Sequence, residues 1–109
     1  MKRLILMLAL AAMTQTAHAD EEAAEQINAR CADKWADNFR MQKYCRGNET
    51  EALIAIGKYV TEHSLTFTEP YETRELILGG CLDKWTDKHG PQWRMVKYCN
   101  QVEAWESLR

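Results

Sequence analysis

Four cysteines, Cys31, Cys45, Cys81 and Cys99, carry the most reactive side chains of this 109-residue sequence. A redox enzyme uses the spacing C-x-x-C, in which one thiol is activated and the other resolves the mixed disulfide. A zinc knuckle also needs pairs of thiolates a few residues apart. Here the cysteines of the two successive pairs are 14 and 18 residues apart, and this spacing favours structural disulfides.

Histidine and methionine are the other candidate ligands, and neither indicates a cofactor. His63 and His89 are predicted to be solvated or capping residues, because no further ligands accompany them. Met41 and Met95 are possible haem ligands, but the sequence has no C-x-x-C-H attachment motif. Both are predicted to pack against a tryptophan, an ordinary contact for a thioether. We therefore predict no catalytic, cofactor-binding or metal-ligating residue.

Carboxylates are abundant but show no catalytic pattern. Those in the middle of the chain are Glu49, Glu51, Glu69, Glu72 and Glu75. We expect them in solvated positions or in the first turns of helices, where negative charge favours the helix dipole.

Two segments of the sequence repeat one phrase. Residues 31–45 read CADKWADNFRMQKYC, and residues 81–99 read CLDKWTDKHGPQWRMVKYC. With a four-residue insertion in the second copy, the segments share 10 identities over the 15 positions of the shorter copy. So dense a match predicts an internal duplication.

Helical periodicity surrounds both copies. Apolar residues step by three and four at Ala24, Ile27, Cys31 and Trp35, and by four at Ile77, Cys81 and Trp85. Turn-forming residues stand in the middle of each phrase, Asn38 in the first copy and Gly90 in the second. Asp37 is predicted to cap the helix after the first turn, and Pro91 to stand in the first turn of the last helix.

Each phrase therefore predicts two antiparallel helices joined by a short turn. Residues equidistant from the turn meet in such a hairpin, which pairs Cys31 with Cys45 and Cys81 with Cys99. Each bond closes a loop of about 15 to 19 residues and contributes roughly 3 kcal/mol to stability.

The sequence thus predicts an all-α protein in which two tandem disulfide-stapled hairpins form a small four-helix array. The predicted units are a signal peptide at 1–19 and a single domain at 20–109, with the first hairpin at about 20–63, a linker at 64–70 and the second hairpin at about 71–109. The segment Arg46–Thr50 can interrupt the second helix. Gly79 and Gly80 weaken the third helix unless close packing against another helix explains them.

The N-terminus has the features of a secretory signal peptide. Lys2 and Arg3 precede an apolar run at 4–13, and the triplet AHA at 17–19 predicts cleavage after Ala19. No later stretch has the roughly 18 apolar residues of a membrane helix, so we predict a periplasmic or secreted protein without a membrane span. Without residues 1–19 the chain keeps 12 basic and 16 acidic residues, a formal net charge of −4, which argues against nucleic-acid binding.

Basic and aromatic residues form the candidate binding surface. Its members are Lys34, Arg40, Lys43, Lys84, Arg94, Lys97, Trp93 and Trp105. One interpretation is structural, with Lys43 paired to Asp33 and Lys97 to Asp83 across the hairpins. The other is a surface for an anionic partner, such as a carboxylate-bearing peptide, a polysaccharide or a lipid headgroup. The second interpretation predicts that four cations are exposed and unpaired around an apolar patch: Lys34, Arg40, Lys84 and Arg94.

The phrase C-x-D-K-W … R-M-x-K-Y-C resembles a pattern in small exported bacterial proteins of unknown function, which carry a cysteine-flanked Trp…Met-x-x-Tyr-Cys helical hairpin. The residues that carry the resemblance are Cys31, Trp35, Met41, Tyr44 and Cys45, and Cys81, Trp85, Met95, Tyr98 and Cys99. The resemblance implies the hairpin and export, and it implies no activity.

We predict a non-enzymatic binding protein without a cofactor. Its partner is expected to be an envelope protein, a cell-wall component or a second copy of the chain. Two alternatives stay open: a cofactor- or metal-binding carrier or enzyme with a site between the hairpins, and a structural envelope component.

Overall fold

A computed structural model describes residues 21–109, and most of them are helical. The elements are α1 at 21–34, α2 at Phe39–Glu62, α3 at Thr73–Lys84, β1 at Thr86–Asp87, β2 at Gly90–Pro91 and α4 at Trp93–Leu108. The predicted all-α fold is confirmed. The predicted signal peptide and its cleavage site lie outside the described residues.

Both predicted disulfides are present. Cys31–Cys45 joins α1 to α2, and Cys81–Cys99 joins α3 to α4, with Cα–Cα distances of 5.6 Å and 5.7 Å. Each bond therefore clamps the two helices that flank one turn, as the tandem-hairpin prediction requires. The loops that they close correspond to about 3 kcal/mol each in the chain-entropy model. Two such bonds are consistent with an oxidising compartment.

Asn38 caps the second helix. Its side-chain oxygen accepts a hydrogen bond from the backbone N–H of Met41 at 3.1 Å, and its own backbone is extended. The predicted cap at Asp37 is wrong by one residue, because the extended conformation that a cap needs occurs at Asn38.

Helix α2 runs for 24 residues without a break. The interruption that we considered at Arg46–Thr50 does not occur. Glu49, in the middle of this segment, is buried and accepts a hydrogen bond from the backbone N–H of Trp93. Packing against α4 thus stabilises the helix where its intrinsic propensity is weak.

The four-residue insertion in the second copy forms a tight antiparallel turn. Gly90 has φ +87°, a conformation that glycine adopts without strain. Pro91 lies in β2 and not in the first turn of α4, contrary to our prediction. The backbone N–H of Gln92 donates to the carbonyl of Trp85 at 2.8 Å, so the chain stays extended until α4 begins at Trp93.

The hairpins are joined by a non-helical segment at 63–72. Glu75, buried in the first turn of α3, accepts a hydrogen bond from the backbone N–H of Glu72 at 3.0 Å. Its second oxygen accepts from the backbone N–H of Phe67. One carboxylate therefore caps α3 and fixes the connection that precedes it.

The hydrophobic core lies between α2, α3 and α4. Its buried members are Ile56, Leu65, Leu78, Cys81 and Val96. Trp85 and Trp93 pack against this cluster and are half-buried. Helix α1 contributes the buried Ile27 and Cys31.

Gly79 and Gly80 do not mark a close contact. A Cβ atom added to either residue would have no neighbouring heavy atom within 4 Å. The explanation by packing against another helix is therefore wrong, and nothing in the structure explains these two glycines. Within residues 21–109, no helix is long and apolar enough to cross a bilayer.

A candidate binding cleft between the hairpins

A cleft of about 530 Å³ lies where the two hairpins meet. The first hairpin lines it with Arg30, Asp33, Lys34, Trp35, Met41, Tyr44, Cys45, Asn48 and Glu49. The second hairpin adds Asp87, Lys88, His89, Gln92, Arg94 and Met95. The cleft thus combines residues of both copies of the repeated phrase with the insertion that only the second copy contains.

Arg30 attaches the inserted turn to α1. Its guanidinium donates to both carboxylate oxygens of Asp87, at 2.8 Å and 2.6 Å, and to the carbonyl of Gly90 at 2.7 Å. The Arg30 side chain is only 12% exposed. Its hydrogen bonds are the main reason why the pKa of Asp87 is lowered to about 2. This bidentate pair fixes one wall of the cleft.

Asp33 makes a second link between the hairpins. Its carboxylate lies 3.2 Å from Nε2 of His89 and 3.7 Å from Nζ of Lys88. The hydrogen bond with His89 and the charge of Lys88 lower the pKa of Asp33. His89 is thus not a solvated or capping residue: its side chain is 23% exposed and contacts the first hairpin.

Two ion pairs, each predicted between the two helices of one hairpin, do not form among the described residues: Asp33 with Lys43, and Asp83 with Lys97. Asp33 binds the inserted turn instead of Lys43, because the insertion carries Lys88 and His89 to α1. Asp83 and Lys97 form no ion pair in the same part of the chain, and nothing in the structure explains why.

Glu49 lines the cleft but is buried, contrary to the solvated or first-turn position that we expected from the sequence. Its side chain is buried inside α2, and one oxygen accepts from the backbone N–H of Trp93 at 2.7 Å and of Arg94 at 3.4 Å. A carboxylate here satisfies the first N–H groups of α4 and favours its dipole. The spacing of Glu49 from Ala52 and Ile56, three and seven residues, places all three on one helical face and could have revealed its burial.

The cleft carries a surplus of positive charge. Each of its three carboxylates already binds another group of the chain: Asp33, Glu49 and Asp87. Lys34 and Arg94 form no ion pair within residues 21–109. The chain as a whole has a formal net charge of −2, so this region is locally opposite in sign to the whole.

The repeated Lys-Trp pair has a local role in both copies. Nζ of Lys34 lies 5.8 Å from the ring centroid of Trp35, and Nζ of Lys84 lies 5.7 Å from that of Trp85. These cation–π contacts hold the lysine side chains over the indole rings while their charges stay exposed.

The structure does not bring the eight predicted surface residues together in one place. Lys34 and Arg94 line the cleft; Lys97 lies in the neighbouring groove; Arg40, Lys43 and Lys84 are exposed elsewhere. Trp105 is exposed near the end of α4, 5.8 Å from the guanidinium of Arg109. Trp93 is half-buried and packs against the core.

The two copies are not equivalent around their tryptophans. In the first copy, Nε2 of Gln42 donates to the carbonyls of Trp35 and Ala36, at 2.9 Å and 3.1 Å. The aligned residue of the second copy, Val96, is completely buried in the core. Trp85 packs against that core, whereas Trp35 lines the cleft. Only the first copy therefore offers its indole to a ligand in this cleft.

The described residues contain no group of three or more His, Cys, Asp or Glu side chains arranged to hold a metal ion. Comparison of the chain with protein-family models, with curated proteins and with solved structures finds no match. The resemblance to exported bacterial proteins and the internal duplication therefore stay predictions.

Proposed function

We propose that the protein is an exported, non-enzymatic binding protein whose inter-hairpin cleft takes an anionic partner. One observation carries this proposal: Lys34 and Arg94 line the cleft without an ionic partner in the described part of the chain, while its carboxylates are engaged. An anion that enters the cleft supplies the missing charge without displacing an existing bond.

Apolar groups beside these cations support the same proposal. Met41 and Met95 line the cleft from the two hairpins, and Trp35 lies between α1 and α2. All three are half-buried. Ligand sites combine such apolar walls with a few polar groups that fix orientation. The partner is therefore expected to carry apolar groups next to its negative charge.

The proposed location is the periplasm or the medium outside a bacterial cell. The two disulfides support an oxidising compartment, and the predicted signal peptide supports export.

An enzyme or carrier would also use a site between the hairpins. The contact between Asp33 and His89 is the observation that favours an enzyme, because such a pair suits acid–base chemistry. The lining of the cleft contains no serine or threonine among the described residues, and its only cysteine, Cys45, is in a disulfide. Binding is thus the better supported function.

Matched variants of the two copies test the proposal. Lys34→Ala and Arg94→Ala remove cleft cations, whereas Lys84→Ala and Arg40→Ala remove their aligned counterparts outside the cleft. The probes are a fluorescein-labelled peptide of alternating glutamate and leucine, and a labelled oligogalacturonate. Each cleft variant should weaken binding about fivefold and each control less than about twofold.

Higher ionic strength should weaken the binding further, because the cleft cations are exposed to solvent. Equal losses in all four variants, or no binding of either probe, would contradict the proposed function. Self-association of the chain without binding would instead favour a structural envelope component.

A further inference from the structure

The cleft extends beyond the place where the two hairpins meet. It continues into a groove of about 480 Å³ between α2 and α4, which shares Asn48, Arg94 and Met95 with the cleft. The groove adds Lys97 and Gln101 of α4. Because the two cavities share these three lining residues, one ligand can occupy both.

The combined length suits a short extended chain. The lining on α2 starts at Met41 in the cleft and ends at Ala52 in the groove. At 1.5 Å per helical residue this distance is about 16 Å. An extended polypeptide covers the same distance with about five residues, at roughly 3.3 Å each.

The chemistry along this path matches a polypeptide. The side-chain amides of Asn48, Gln92 and Gln101 can donate to and accept from peptide groups. Two thioethers, Met41 and Met95, adapt to apolar side chains of different shapes.

Charge along the groove favours an acidic sequence. Arg94 and Lys97 line the groove, and neither forms an ion pair within the part of the chain that the structure describes. One exposed carboxylate, Glu51, lies among them. The cleft adds Lys34 at the other end of the path. The cations thus exceed the single carboxylate that is not already engaged.

We infer that the cleft and the groove together bind an extended acidic segment of a partner protein, about five residues long, with apolar side chains between its carboxylates. This inference rests on the proposed function and names the partner of the same site. The Lys34 ammonium lies over the Trp35 ring, which disfavours the stacking of a sugar ring on that indole.

A series of peptides tests the length. Peptides of alternating glutamate and leucine, about two, five and eight residues long, are titrated into the wild-type protein. The affinity of the five-residue peptide should be at least about tenfold higher than that of the two-residue peptide. The eight-residue peptide should bind within about twofold of the five-residue peptide, because five residues already fill the cleft and the groove. A peptide in which lysine replaces glutamate should bind at least about tenfold more weakly.

Variants in the groove separate this inference from the proposed function. Lys97→Ala and Gln101→Ala should each weaken the binding of the five-residue peptide about fivefold. They should change the affinity for the two-residue peptide by less than about twofold. Glu51→Gln should strengthen the binding of the five-residue peptide, because it removes a negative charge that repels the peptide carboxylates. Lys43→Ala, an exposed lysine of α2 that lines neither cavity, is the matched control.

Two results would overturn the inference while the proposed function stands. Equal affinity for all peptide lengths would mean that the cleft binds a small anion alone. Binding of oligogalacturonate but of no acidic peptide would mean that the partner is a polysaccharide. Absence of binding by every probe would overturn both proposals together.

Discussion

Individual carboxylates bind parts of the chain that are distant in sequence, and these contacts determine which cations are left without an ionic partner. Asp33 and Asp87 attach the inserted turn to α1, and Glu49 caps α4 from inside α2. None of these partners is close in sequence. The type and number of charges can be read from the sequence, but their pairing depends on the packing of the two hairpins.

Removal of the Glu49 carboxylate should destabilise the fold. In Glu49→Ala the first N–H groups of α4 lose a buried, charged acceptor, which costs about 1 to 3 kcal/mol of unfolding free energy. Urea denaturation followed by circular dichroism measures this loss. Glu51→Ala, an exposed site on the same helix, is the control and should change stability by less than about 0.5 kcal/mol. Similar losses in the two variants would show that Glu49 has no capping role.

Acid should weaken the link between Arg30 and Asp87. The folded pKa of Asp87 is about 2, below its ordinary value of 3.8, mainly because of the hydrogen bonds from Arg30. A lowered folded pKa stabilises the protein above the unfolded pKa, and this contribution is lost as the pH falls toward about 2. The wild type should therefore lose stability between about pH 4 and pH 2 more steeply than Asp87→Asn. Denaturation curves across this range measure the difference, and parallel profiles would contradict it.

At the scale of elements, the helical hairpins and their disulfides follow from the sequence. The cysteines lie at equal distances from Asn38 and from Gly90, and an antiparallel hairpin brings such pairs together. The inserted turn could not be placed in the same way, because its contacts with Arg30 and Asp33 cross more than 50 residues of chain. The local sequence at Arg46–Thr50 predicts a weak helix, but α2 is unbroken there because it packs against α4, which local propensity does not include.

The glycines of the second hairpin should respond in opposite directions to alanine. Gly80 is exposed within α3 and a Cβ there meets nothing within 4 Å, so Gly80→Ala should stabilise the protein by about 0.5 to 1 kcal/mol. Gly90 has a left-handed backbone, which costs alanine about 1 to 2 kcal/mol. A Cβ at Gly90 would also lie 2.5 Å from the Gln26 side chain, which must move. Thermal unfolding checks both signs, and a shift of the same sign in the two variants would contradict this account.

At the scale of the whole molecule, two similar copies line one asymmetric cleft. The repeated cations are equivalent in the sequence, which therefore predicts Arg40 and Lys84 on one surface with Lys34 and Arg94. The structure brings together Lys34 of the first copy and Arg94 of the second. Their counterparts, Arg40 and Lys84, do not line the cleft. The two copies also differ in the core, which contains Val96 at the position where the first copy has Gln42.

This asymmetry predicts a single binding event for each chain. An acidic peptide of about five residues, titrated calorimetrically into the wild-type protein, should bind with one peptide per chain, because the second copy packs its tryptophan into the core. The double variant Lys34→Ala/Arg94→Ala should show no peptide binding in the titration, although it keeps Lys84 and Arg40. The double variant Lys84→Ala/Arg40→Ala should keep both the stoichiometry and the affinity within about twofold. Two peptides per chain would mean that each copy binds on its own, and the cleft between the hairpins would then not be the site.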